Sequence, residues 1–222
     1  DALVIQGSEG GGHTGLTPTT LLLSSVLESV RIPVVAAGGF RDGSGLAASL
    51  AWGADGIAMG TRFMMTQESP VPKNTKEAYL SAAVEDIKIT KKFDGLSHRL
   101  IFNNYIKKID RSNPMSLFIM SISSAWKYKK LTKASYADLT KSFIAMLKGD
   151  DLTISQSIMS ANSPAIIQKA MVEGSPDEGA MPSGQVAGLI SNLPTCKELI
   201  DEIMREFTSA VANLRSIDGD KL

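Results

Sequence analysis

Three short apolar runs near the start of the chain constrain its fold more than any other feature. They cover Leu3 to Gln6, Ile32 to Ala37 and Gly56 to Met59, and a glycine follows each run. The runs are rich in Val, Ile and Ala and show no clean alternation with polar residues, which is typical of strands in a parallel sheet covered on both faces. The sequence therefore predicts three buried parallel strands.

Helical patterns separate the three predicted strands. One covers Thr19 to Val30 directly after Pro18, and the other covers Gly45 to Trp52 after Asp42 and Ser44. Proline is favoured in a first helical turn, and aspartate and serine are favoured N-cap residues. Strands that recur about every 25 to 30 residues with helices between them are typical of successive βα units with right-handed crossovers. This region is therefore expected to have an α/β fold.

Beyond Pro70 the sequence predicts helices and no further strong strand. The last predicted helix is amphipathic and is expected to dock its apolar face on the rest of the fold. A further apolar stretch from Ser112 to Trp126 is too short to span a bilayer and is expected to be a helix that is buried against a neighbour or lines a pocket. The other predicted helices and the last one cover Asn74 to Glu85, Arg99 to Asp110, Ser135 to Leu147, Ser163 to Val172 and Thr195 to Leu214.

The composition argues against several classes of function. Lys plus Arg and Asp plus Glu both number 23, so the net charge is zero and no basic field favours nucleic acid. Cys196 is the one cysteine, and no Cys/His spacing indicates a metal site. No apolar run approaches the roughly 18 residues of a membrane span. We expect a cytoplasmic protein without nucleic-acid or membrane partners, and, because the chain opens in a strand without Met, the C-terminal part of a longer protein.

Glycine-rich turns follow the three predicted strands. The first, GSEGGGHTG at residues 7 to 15, places His13 after three glycines. Glycines let a ligand approach the backbone closely, and the free N–H groups at the start of a following helix attract phosphate. Because the carboxyl ends of parallel strands meet at one face, the turns are expected to converge, with a phosphate at the later two and His13 over the ligand's reactive end. The later two turns contain Gly38 with Gly39, and Gly60 with Thr61.

Each of these features also has a purely structural interpretation, which the sequence leaves open. The glycine pairs can serve only to relieve packing, and His13 can be a satisfied structural histidine. Glu9 is equally a catalytic acid or a turn residue with local hydrogen bonds. His98 is expected to be structural or solvent-facing, and Cys196 a small residue in the last helix. Core fillers are expected at Met64, Met65, Met115 and Met120, and a solvated face at residues 127 to 130.

Three segments resemble the nitronate monooxygenase family, whose members are FMN-dependent enzymes with a TIM-barrel fold. They are GSEGGGHTG, IPVVAAGGFRDGSGLAASLAWGADGIAMGTRFMMTQES and MPSGQVAGLI. The match in order and spacing is specific over residues 1 to 69, and a stretch from Ser163 to Leu214 resembles the C-terminal segment of the family. The stretch from Asp110 to Asp150 resembles no known element and is a candidate insertion. Gly10, where the family often has alanine, is a small departure.

The resemblance implies an α/β fold that is the C-terminal part of a TIM (β/α)8 barrel, with about three strands and an added helical subdomain. In this division, residues 1–69 are the last βα units, 70–190 a substrate-side subdomain and 191–222 a helix that packs on the barrel. The resemblance also implies FMN as the cofactor and His13 as the catalytic residue. The residues implied to bind FMN are Gly11, Gly12, Ala37, Gly38, Gly39, Gly60, Thr61 and Gln185.

The activity implied by the resemblance is oxidation of an alkyl nitronate with O2 to a carbonyl compound and nitrite. His13 would orient the nitro group, or remove a proton from a neutral nitroalkane as a general base. NAD(P)H-dependent flavin reductases of the enoyl-acyl-carrier-protein reductase and quinone reductase types share these motifs, so they stay open as an alternative. A non-catalytic phosphate-binding barrel is a third interpretation. The natural substrate and the oligomeric state, for which a homodimer is one option, are not decided by the sequence.

Overall fold

A computed structural model describes residues 1–113, 116 and 154–217 of the chain. The predicted helix from Ser135 to Leu147, nearly all of the stretch from Ser112 to Trp126, Met115, Met120 and the basic residues 127 to 130 lie outside the described residues. The strands are β1 (Leu3–Gln6), β2 (Gly12–His13), β3 (Val34–Ala37), β4 (Gly56–Ala58), β5 (Ile87–Thr90) and β6 (His98–Ile101). The helices are α1 (Thr19–Ser29), α2 (Gly43–Ala51), α3 (Thr61–Met64), α4 (Lys73–Leu80), α5 (Asn104–Arg111), α6 (Ile154–Met171) and α7 (Cys196–Arg215).

The three apolar runs form one parallel sheet in the order β1-β3-β4, as the sequence predicts. Leu3 pairs with Val34, and Val35 pairs with Gly56. The helix α1 connects the first two strands of this sheet and α2 connects the second to the third. A core of Ile5, Leu23, Val34, Ala36, Phe40 and Ala54 packs the sheet against α1. The α/β arrangement is confirmed, whereas closure into a full barrel stays a prediction.

Side-chain hydrogen bonds set the first residues of two helices, α2 and α7. Asp42 caps α2, because its Oδ1 accepts the Gly45 N–H at 2.9 Å, whereas Ser44 lies inside the helix and is not the cap. At the start of α7, Thr195 and Glu198 accept each other's backbone N–H groups in a capping box. These caps fix where the connecting loops stop and the helices begin.

The prediction that no strand follows Pro70 is wrong. The strands β5 and β6 pair with each other and with the short β2 in an antiparallel sheet of order β2-β6-β5. The segment predicted as a helix from Arg99 is strand up to Ile101, because all four residues of β6 are buried against neighbouring elements. Helix α5 begins only after Asn103, whose side chain accepts the Ile106 N–H at 2.9 Å.

Helix α4 also differs from its prediction, since it ends at Leu80 and a separate 3-10 turn covers Val84–Asp86. The amphipathic C-terminal helix forms as predicted. Its residues Leu199 and Ile203 are buried, and α7 packs on α2. None of the helices in the described part of the chain has the length and apolar character that a membrane crossing requires.

Candidate functional site

The carboxyl ends of β1, β3 and β4 open into a cavity of about 660 Å³. The three glycine-rich turns all contribute to its wall, so the sequence's expectation that they meet at one opening describes the structure correctly. Part of the segment 182–186 closes another side of the cavity. The residues expected to bind cofactor that line it are Gly11, Gly12, Ala37, Gly38, Gly39, Gly60 and Thr61.

Backbone conformation explains the glycines of the second turn. Gly38 has φ of 96° and Gly39 has φ of 85°, in the left-handed region that side chains rarely adopt. At Gly38 an added Cβ would also lie 3.1 Å from the Gly7 carbonyl oxygen. The structural interpretation therefore holds for Gly38 whatever the cavity binds.

The third turn is different, because no steric or conformational reason requires a glycine there. Gly60 has φ of −82°, and a Cβ added to it would meet nothing within 4 Å. The backbone N–H groups of Gly60 and Gly39 make no hydrogen bond to any described residue. Thr61 Oγ1 accepts the Gly184 N–H at 2.9 Å, which leaves the hydroxyl proton for donation. Hydrogen-bond donors that have no partner among the described residues and that lie beside open space are suited to binding phosphate oxygens.

Two other predicted residues have roles that the sequence does not reveal. A Cβ on Gly11 would lie 2.4 Å from the Gly184 nitrogen, so this glycine allows the segment around Ser183 and Gly184 to pack on the first turn. Gln185 does not line the cavity, although its neighbours Gly184 and Val186 do. Its backbone N–H donates to the Glu9 carbonyl at 3.0 Å. A cofactor contact of the Gln185 side chain stays a prediction.

Glu9 is held by local hydrogen bonds. Its carboxylate accepts the backbone N–H of Thr19 at 3.0 Å and the Thr19 hydroxyl at 2.9 Å, at the start of α1. Of the two interpretations left open for Glu9, this geometry favours the turn residue. Arg99, which the sequence did not single out, donates to the Ser8 carbonyl at 2.8 Å from the far side of the same turn. Burial lowers the pKa of Arg99, and the charge of Glu9 opposes that effect.

His13 lies next to the cavity but is not part of its wall. The antiparallel pairing of β2 with β6 places it opposite His98, and its side chain is 56% exposed. Its Nε2 lies 2.7 Å from Oδ2 of Asp94, in the loop that precedes β6. The predicted catalytic residue thus lies in the antiparallel sheet, while the glycines of the second and third turns follow strands of the parallel sheet.

Asp94 links two histidines. Its Oδ2 lies 2.8 Å from His98 Nδ1 as well as 2.7 Å from His13 Nε2, and its Oδ1 accepts the Leu96 N–H at 3.2 Å. Burial raises the pKa of Asp94, but the hydrogen bonds from His98 and His13 outweigh it, so the pKa of this carboxyl lies below its ordinary value of 3.8. The side chain of Asp94 is 1% exposed. We therefore describe it as a buried carboxylate.

His98 is buried beside His13, with 4.5 Å between the ring centroids, so of the two expectations for it the structural one holds and the solvent-facing one is wrong. Asp94 is a residue of this site that the sequence motifs do not indicate. The signal that could have found the pair is DGLSH, in which a glycine turn separates an aspartate and a histidine by four positions. Nothing local in that motif points to His13, which lies 81 residues earlier.

The donor atoms of His13, Asp94 and His98 lie within 4.8 Å of one another, close enough to be considered for a metal ion. Hydrogen bonds already account for their arrangement, because both histidines face the same carboxylate oxygen at hydrogen-bond distance. We therefore interpret the three side chains as a hydrogen-bonded group, and call them the His-Asp-His cluster.

Comparison with known proteins gives a family and several relatives. The family model described as nitronate monooxygenase matches residues 1–206. A Rhodococcus jostii protein named (3aS,4S,5R,7aS)-5-hydroxy-7a-methyl-1-oxo-octahydro-1H-indene-4-carboxyl-CoA dehydrogenase is 48% identical over 206 residues, or 93% of this chain. A Staphylococcus aureus protein named probable nitronate monooxygenase is 38% identical over 121 residues, which are 50% of this chain and 34% of that protein.

The solved structure of FabK from Thermotoga maritima is similar over 98% of this chain and 58% of that one, with a TM-score of 0.72 and 31% identity. The chain spans 58% of the length of the Rhodococcus jostii relative. Both likenesses extend through the parallel sheet and the antiparallel sheet, so the cavity and the His-Asp-His cluster lie inside the matched region.

Proposed function

The chain belongs to the nitronate monooxygenase family of flavin oxidoreductases, and from this we propose that it is part of a flavin-dependent dehydrogenase acting on a cyclic carboxylic acid bound as its CoA thioester. The observation that carries this proposal is the 48% identity, over 93% of the chain, to a relative with that activity in its name. Nitronate oxidation, which the sequence motifs alone suggest, has support from relatives of 38% identity that align with 50% of the chain.

We propose FMN as the cofactor, with its phosphate held at the second and third glycine turns. The free N–H groups of Gly39 and Gly60 and the hydroxyl proton of Thr61 supply donors for the phosphate oxygens. Ala37 and Gly38 line the cavity beside them, and Gly11 and Gly12 line the side nearest His13. When bound, the flavin supplies the acceptor for a hydride.

We propose that His13 takes the proton in this reaction. The thioester carbonyl acidifies the hydrogen on the α-carbon, so a neutral imidazole can remove it as a general base. Loss of a hydride from the β-carbon, for which a bound flavin would be the acceptor, would then leave a carbon–carbon double bond in the product. The exposure of the His13 side chain, 56%, gives a substrate access to the ring.

A concentration of positive charge supports a CoA ester over a small nitronate. Residues 87–113 contain seven Lys and Arg side chains and two Asp, although the whole chain has no net charge. The phosphates of CoA are anionic, and exposed Lys and Arg residues favour them through Coulomb attraction. The exposed members of this basic surface are Lys88, Lys91, Lys92, Lys107, Lys108 and Arg111.

The test is anaerobic mixing of the flavin-loaded protein with four reagents in turn, followed by the visible absorbance of the flavin. We expect bleaching with the CoA thioester that names the Rhodococcus jostii relative, and none with the corresponding free acid. Bleaching by propyl-2-nitronate alone would instead support the monooxygenase, and bleaching by NADH alone a reductase. A purified protein that binds no flavin would support the non-catalytic phosphate-binding barrel.

A further inference from the structure

Asp94 is a buried carboxylate between two histidines, and the reaction proposed above gives it no task. We propose that Asp94 is a positioning residue that holds His13 in the Nε2–H tautomer, so that Nδ1 is the nitrogen that accepts the substrate proton. The inference rests on the proposed role of His13 as the base, and it adds which atom acts and what orients it.

The hydrogen bonds to Asp94 fix the positions of the protons in the cluster. An ionised carboxylate can only accept hydrogen bonds, and Oδ2 of Asp94 lies 2.7 Å from His13 Nε2 and 2.8 Å from His98 Nδ1. Each of these two nitrogens must therefore carry a hydrogen. In a neutral imidazole the other nitrogen then has the free electron pair. For His13 that nitrogen is Nδ1, which makes no hydrogen bond to any described residue.

Hydrogen bonds also keep Asp94 in place. The Leu96 N–H donates to Oδ1, and His98 donates to Oδ2 from a ring that is itself buried against Phe93, with 5.2 Å between ring centroids. Nε2 of His98 is buried without a hydrogen-bond partner in the described structure. Among the described residues, His98 therefore forms a hydrogen bond only through Nδ1, and this hydrogen bond holds the Asp94 carboxylate in position.

Asp94 also orients the ring of His13. More than half of its side chain is exposed, and the ring of His98 lies beside it at 4.5 Å between centroids, so packing constrains the His13 ring only weakly. The charge-assisted hydrogen bond to Asp94 is the one polar contact that fixes the ring within the described residues. A substitution that removes the charge of Asp94 but keeps its shape should therefore let the His13 ring change both its tautomer and its orientation.

The experiment uses Asp94→Asn in the flavin-loaded protein with 15N-labelled histidine. We expect the wild-type nitrogen NMR spectrum to show His13 protonated at Nε2 and unprotonated at Nδ1. In Asp94→Asn we expect a mixture of tautomers and a fall in kcat of about 100-fold or more, because a general base contributes about 10²- to 10⁴-fold. The matched control Asp201→Asn loses only an exposed ion pair with Lys197 and should match the wild type.

The His13 tautomer provides a readout that a merely structural role would not change. An amide at position 94 can donate a hydrogen bond as well as accept one, so it no longer selects the Nε2–H form of His13. His98→Asn offers an amide N–H near the position of Nδ1. It should keep the His13 tautomer and lose less than about 10-fold in kcat.

The readouts separate this inference from the proposed function. A wild-type His13 protonated at Nδ1 would overturn positioning by Asp94 even in an enzyme that turns over the CoA thioester. A tautomer that changes in Asp94→Asn without any change in turnover would show that His13 is not the base, so this inference would fail while the proposed dehydrogenase activity stands. A divalent metal that copurifies with the wild type and is lost in Asp94→Asn would also overturn the inference.

Discussion

At the scale of single residues, Gly38 and Gly60 line the same cavity and are glycine for different reasons. Gly38→Ala should lower the free energy of unfolding by about 1–3 kcal/mol, because φ of 96° is strained for any side chain and the new Cβ would lie 3.1 Å from the Gly7 carbonyl oxygen. Denaturant unfolding of the flavin-free protein measures this change.

Gly60→Ala is the matched variant, because its backbone is ordinary and its Cβ would enter open space. We expect unchanged stability and an FMN Kd raised about 10-fold or more, which is about 1.4 kcal/mol, since a phosphate approaching the Gly60 N–H would meet the methyl group. Fluorescence titration with FMN measures this Kd. Equal FMN affinity in Gly60→Ala and the wild type would exclude this turn from the phosphate site.

At the scale of elements, the packing of α7 on α2 depends on Gly43, the first residue of α2. A Cβ there would lie 2.1 Å from the Ile203 carbonyl oxygen and 2.3 Å from the Phe207 nitrogen. Gly43→Ala should therefore push α7 away and cost about 1–3 kcal/mol through overpacking, measured by thermal unfolding. Ser44→Ala changes the next, exposed position and should leave the midpoint within about 1 °C of the wild type. A tolerated Gly43→Ala would contradict the close contact between these helices.

The strands and helices of the parallel sheet show where a local sequence pattern is sufficient to predict element bounds. The bounds of β1 follow from the sequence exactly as the structure has them, and those of α1, β3 and β4 differ by one or two residues. In this region the apolar runs, the glycines and the residues favoured at helix starts all predict the same element bounds. The strand β6 was missed because a short buried run beside a helix has no period of its own, and its burial comes from β2, β5 and a bridge to Pro182.

At the scale of the whole molecule, the uneven charge predicts how a CoA ester binds. Reversing two exposed cations of the basic surface, as Lys107→Glu with Lys108→Glu, should raise KM for the CoA thioester about 10-fold and leave kcat within about twofold, since neither side chain is part of the His-Asp-His cluster. The effect should shrink as salt screens the charges. Steady-state kinetics at two ionic strengths measure it.

The control for this charge reversal is Lys73→Glu with Lys197→Glu, which makes the same change in net charge at side chains that are 86% and 84% exposed. We expect its KM to stay near the wild-type value. If both double variants raised KM equally, the effect would come from overall charge, and the basic surface would have no specific part in binding.

The sequence by itself determined the parallel βα order, the glycine turns and their meeting at one opening. These features depend on residues close together in the chain and on the fixed geometry of parallel strands. Only the tertiary structure decided that His13 lies beside Asp94 and His98, and that Gln185 does not line the cavity. It also decided that the Glu9 carboxylate accepts the first backbone N–H of α1. The reason is physical: a hydrogen bond across 81 residues is set by which strands pair, and pairing depends on burial that no local pattern records.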